Sequence, residues 1–210
     1  MHVGKSQLAM ALVAVFAAGC GGSKAPPEEP AQTVNVVQPG APGEPTKTVA
    51  PGATPVAVQH SQTDVEFMQG MLHHHQQAVV MTDWVPKRTR STSIRLLARR
   101  MGISQQAEMD QIHAWLKQRG IDPADHSHGH TVMPGMLTTA QLERLETARG
   151  DAFDALFLRF MTRHHRGALT MVQELREKGG GAEADIGAFT RHVDSDQQLE
   201  IQRMQALLAR

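Results

Sequence analysis

Phe67-x3-Met71-x2-His74-His75-x2-Ala78-x2-Met81 is written a second time, with the same spacing, as Phe157-x3-Met161-x2-His164-His165-x2-Ala168-x2-Met171. An α-helix turns about 100° per residue, so the positions of each copy lie on one stripe of a helix. Two thioethers and two imidazoles then face a common space. Ala78, between them, lets a neighbouring helix approach or leaves room for an ion, while His73 points to the opposite side. Downstream of the first copy runs Ser104-Gln105-Gln106-Ala107-Glu108-Met109, and downstream of the second Asp196-Gln197-Gln198-Leu199-Glu200-Ile201. Each half reads as one His-bearing helix followed by one Gln-Gln-x-Glu helix, and a duplicated hairpin is the economical explanation.

Outward from this repeat, the helical signals continue. Thr63-x-x-Glu66 reads as a capping box, and the first helix should run to Trp84-Val85 before Pro86 stops it. A second helix is expected over 93–119, closed by Gly120. Thr138-x-x-Gln141 should cap a short helix ending near Arg149. The second His helix should then run from Asp151 to about Lys178, and Gly179-Gly180-Gly181 should turn the chain into a last helix from about Glu183. No segment shows sustained strand alternation, so the class is all-α, with residues 62–210 forming one four-helix bundle of two hairpins.

The amino-terminal part is different. A weakly basic start at Lys5, an apolar run from Leu8 to Ala18 and the sequence Ala17-Ala18-Gly19-Cys20 predict a lipoprotein signal over residues 1–19, with Cys20 as the lipidated residue. The alternative is a plain signal peptide with an incidental cysteine. Residues 20–61 hold eight of the eleven prolines and read as a disordered tether. The expected setting is the bacterial cell envelope, with membrane contact through the lipid anchor.

Composition narrows the chemistry. Lys and Arg number 21, as do Asp and Glu, so no basic excess exists for nucleic acid. Twelve methionines and twelve histidines accompany a single cysteine. A domain without thiols beyond Cys20 offers thioether sulfur as its soft donor, and Met with His suits copper, Cu(I) above all. Helical methionines also serve as core filler, and buried histidines as structural residues, so both readings stand. His126, His128 and His130 alternate ahead of Met133 and Met136 and form a candidate acquisition tract, or a polar surface loop. His60 and His113 are isolated and read as exposed or structural. Gln105 with Glu108, and Gln197 with Glu200, could brace the imidazoles or hydrogen-bond between helices. Neither Glu-x-x-His copy of a di-iron bundle is present, the nearest being Asp110-x-x-His113, and serine, cysteine and phosphate-loop signatures are missing. An enzyme is not expected.

The tandem His-His-x2-Ala-x2-Met helices, each followed by a Gln-x2-Glu helix, with Met133-Pro134-Gly135-Met136-Leu137-Thr138 between them, resemble the family called domain of unknown function 305. The resemblance covers residues 62–210. It implies a ferritin-like four-helix bundle, exported in bacteria, with some members implicated in copper binding and in copper or silver tolerance. The matching positions are Met71, His74, His75 and Met81, then Met161, His164, His165 and Met171, with Met133 and Met136 in the loop. The second pair departs in being flanked by Arg163 and Arg166, the former at the register of His73. Sequence leaves open one shared site or two. The expected function is metal binding, with Cu(I) or Ag(I) favoured; the alternative is a structural or interaction bundle.

Overall fold

The structure, a computed structural model, describes residues 36–38, 47–49, 59–123 and 133–210. Five helices appear: α1 (Gln62–Arg88), α2 (Thr92–Gln118), α3 (Thr139–Thr147), α4 (Gly150–Glu177) and α5 (Ala184–Leu208). The four long helices form the expected all-α, ferritin-like bundle. α1 packs mainly on α2, α4 mainly on α5, and the hairpins join chiefly through α1 and α4, with a slighter contact between α2 and α5. None of these helices is long and apolar enough to cross a membrane. The signal segment, Cys20 and most of the tether lie outside the described residues. Within the tether, β1 (Val36–Gln38) and β2 (Lys47–Val49) pair antiparallel, Val36 opposite Val49, a local pairing that period-2 alternation over such short runs does not announce.

Two helix limits differ from expectation. The cap of α1 is Ser61 rather than Thr63: Ser61 Oγ accepts from the Asp64 amide, and the Asp64 carboxylate accepts from the Ser61 amide. Asp64 wins because its other oxygen accepts from the Gly181 amide at 2.6 Å, tying the start of α1 to the α4–α5 turn. Pro86 does not end α1, which continues to Arg88. In the last turn a missing N–H removes only one helical bond, so the chain completes the turn before Thr89 leaves it. Elsewhere the caps follow the sequence: Thr138 and Gln141 form the box of α3. Gly120 (φ 67°) and Gly179 (φ 79°) take the left-handed turns after α2 and α4.

The core is split into two apolar clusters. Along α1 the first uses Val65 to Leu72 and the second Ala78 to Val85; along α4 the second uses Phe153 to Met161 and the first Ala168 to Leu175. α1 and α4 are therefore antiparallel, with Met71 and Met171 in one cluster, Met81 and Met161 in the other. Between the clusters on every long helix fall buried polar residues: His74 and His75, Gln105 and Glu108, His164 and His165, Gln197 and Glu200. A polar layer thus crosses the middle of an otherwise apolar bundle.

A candidate metal centre at mid-bundle

The His helices face one another. The rings of His74 and His164 lie 3.8 Å apart between centroids, tilted by 38°, with His75 and His165 6.5 and 6.3 Å from their neighbours in sequence. All four are at most 1% exposed. The two copies of the motif therefore build one shared layer.

Within each hairpin a carboxylate holds one imidazole. His75 Nε2 lies 2.5 Å from Glu108 Oε2, and His165 Nε2 lies 2.7 Å from Glu200 Oε2, the same bond made twice by the duplication. Gln105 and Gln197 are also buried but make no hydrogen bond to either ring, and the Oε1 of each has no partner. His74 is held differently. Its Nε2 donates to the Pro134 carbonyl at 3.0 Å. A carbonyl only accepts, so that nitrogen carries the proton and Nδ1 of neutral His74 presents a lone pair.

His74 Nδ1, His75 Nδ1, His165 Nδ1 and both nitrogens of His164 are buried without a hydrogen-bond partner. An unpaired buried polar group costs about 1–3 kcal/mol, so a layer with five such atoms is an unfavourable way to fill a core. It is, however, a suitable donor set for an ion that takes neutral imidazole nitrogen. Burial keeps the central rings neutral: His74 is pushed down to about 3 by burial and the adjacent His75, against the opposing pull of the Pro134 carbonyl. His164 is also held well below the usual imidazole range by burial, then by His74, His165 and His75.

This has a consequence for the metal-free protein. Below the ordinary imidazole value near 6.5 the unfolded chain takes up protons at these positions that the core refuses, so stability is complete above that pH and is lost on acidification. Each of the two histidines contributes a slope of about 1.4 kcal/mol per pH unit. Urea unfolding at pH 7.5, 6 and 5 should give steadily falling midpoints; a flat or rising midpoint would contradict neutral burial.

The loop before α3 closes the layer. Gln77 grips Leu137 by both backbone groups, accepting from its amide at 2.7 Å and donating to its carbonyl at 3.1 Å. Arg163 donates to the Met136 carbonyl at 3.0 Å and to Gln141 at 2.8 Å. Arg163, beside the second His pair, thus serves as a loop clamp, and Arg166 is exposed. The loop backbone lies directly on α4: a Cβ at Gly167 would stand 2.0 Å from the Pro134 oxygen, and one at Gly135 would stand 2.6 Å from the Arg163 oxygen. Met133 Sδ and Met171 Cε both lie beside Gly70, which places Met133 with the Met71 and Met171 cluster. Met136 contributes its carbonyl. His126, His128 and His130 lie outside the described residues. His73 is off the layer, within hydrogen-bond reach of Gln76 at 3.2 Å, His60 stands edge-on to Trp115, and His113 is exposed.

Sequence reading missed Gln77, Pro134 and Gly167. Gln77 lies beside the quoted stripe, and the Pro134 contribution is a backbone atom; the one available signal was that Gly167 follows the second His pair where Gln77 follows the first.

The profile of the family described as "Domain of unknown function (DUF305)" matches residues 64–208. The chain belongs to this family. A DUF305 fragment from Deinococcus radiodurans is 28% identical, with a TM-score of 0.64 over 72% of this chain and 99% of its own. CopM in its Cu(I)-bound form, 24% identical, superposes with a TM-score of 0.58 over 70% of this chain and 96% of its own, and so shares the fold. An uncharacterised protein of Acanthamoeba polyphaga mimivirus is 36% identical over 58 residues, 28% of this chain and 38% of the viral protein. The chain thus spans well under half of that relative's length.

Proposed function

We propose that this DUF305 protein binds copper in the mid-bundle layer, Cu(I) or Ag(I) in preference, and serves envelope metal homeostasis or tolerance as an exported, lipid-anchored protein. The observation that carries the reading is the set of five partnerless imidazole nitrogens on four buried histidines. His74, His75, His164 and His165 would hold the ion. Glu108 and Glu200 orient two of the rings through Nε2, as carboxylates do for metal-bound histidine. Met71 and Met171 at one end, Met81 and Met161 at the other, supply thioethers next to the layer, which favour the soft monovalent ions. CopM, solved in Cu(I)-, Cu(II)- and Ag-bound forms, supports the reading by analogy of fold. Cys20 and the apolar segment before it support the envelope setting.

The test is a Cu(I) titration of the purified protein against a competing chelator. Binding tighter than micromolar is expected; micromolar or weaker binding would sink the proposal and favour a bundle that docks another envelope component.

A further inference from the structure

We infer that the α2–α5 face carries a second cation site, built from Glu108, His192 and Asp196, which takes a divalent ion of borderline hardness such as Zn(II). One ligand atom from each residue lies within 4.8 Å of the others, in a group that adjoins the histidine layer through Glu108. His192 Nε2 stands 3.6 Å from Glu108 Oε1 and 3.6 Å from Asp196 Oδ2. These separations exceed a hydrogen bond. They match the spacing of donors around a tetrahedral ion, because ligands about 2.0–2.2 Å from zinc stand roughly 3.3–3.6 Å apart.

The placement suits capture from solution. His192 and Asp196 are one helical turn apart on α5, so they share a face, and their side chains are 49% and 39% exposed. Glu108 reaches them from α2 with its carboxylate buried, and Ser104 Oγ steadies Asp196 Oδ2 at 3.4 Å. Imidazole with two carboxylates is a borderline-to-hard donor set, unlike the nitrogen and sulfur of the mid-bundle layer. Glu108 belongs to both: Oε2 accepts from His75 and Oε1 faces His192.

The duplication argues against a packing role. Shifted by the 92 residues that separate Ser104 from Asp196, the counterparts of His192 and Asp196 are Arg100 and Ser104, so Glu200 faces no equivalent ligands. Only one half of the bundle therefore carries the trio.

Calorimetric titration of the full chain with zinc chloride at pH 7.5 tests the site, alongside His192→Ala and Asp196→Ser. Each variant should lose one equivalent of Zn(II), or at least tenfold in its affinity, while Cu(I) binding persists. Co(II) should give visible absorption bands of a tetrahedral centre in the wild type that are absent in His192→Ala. Equal zinc stoichiometry and affinity in all three proteins would overturn the proposal and reduce the trio to a charge pair. Failure of Cu(I) binding in the wild type with zinc binding intact would count against the copper reading alone.

Discussion

In His164→Leu the metal-free bundle is expected to melt higher than the wild type and to gain nothing from Cu(I). His164 has two buried nitrogens without partners, and leaving such a group unpaired costs about 1–3 kcal/mol. Leucine is close to histidine in volume and brings no polar atom, so the layer should become more stable by about 1–3 kcal/mol. For a domain of this size that raises Tm by roughly 2–12 °C. In the wild type, saturating metal stabilises the folded state by mass action, by about 4 kcal/mol at a thousandfold excess over Kd. The variant forfeits that gain. Differential scanning calorimetry with and without Cu(I) reads both effects. A variant that melts several degrees lower, by the same amount with and without metal, would instead make His164 a packing residue.

Gly167→Ala should destabilise the protein although alanine is the better helix former. The propensity gain in a helix interior is about 1 kcal/mol. Against it stands a Cβ 2.0 Å from the Pro134 oxygen and 2.7 Å from the Gly135 Cα, backbone atoms that no rotamer change can move aside. Overpacking of this kind costs about 3 kcal/mol, the upper end of its usual range, and leaves a net loss of about 2 kcal/mol. Tm should fall by roughly 4–8 °C. The same displacement pulls the Pro134 carbonyl from His74, so Cu(I) affinity should change as well. A Tm equal to or above the wild type would show that the loop does not depend on this contact.

The repeat made the architecture readable. His-His at a fixed register, followed by Gln-Gln-x-Glu, specified two hairpins, and the structure shows why the second motif travels with the first: Glu108 and Glu200 lie where they receive His75 and His165. The number of sites was not readable, because whether α1 and α4 present their stripes to one another is a property of hairpin docking and not of either helix alone. The cap at Ser61 depended on a contact from Asp64 to Gly181, more than a hundred residues away in the chain. The loop contact required Gly135 and Gly167 to meet backbone to backbone, and a glycine inside a helical pattern signals such an approach without naming its partner. His192 lies outside the duplicated pattern and Asp196 stands where the first copy has Ser104, so symmetry gave no reason to single them out.

The central claim is that copper sits in the layer between the two apolar clusters. Crystals of the Cu(I)-loaded protein, with anomalous diffraction recorded at the copper edge, locate the ion directly. The account predicts an anomalous peak at bonding distance from a nitrogen of His164 and at least one of His74, His75 and His165. A mid-bundle layer without copper in a crystal that carries the metal elsewhere would contradict it.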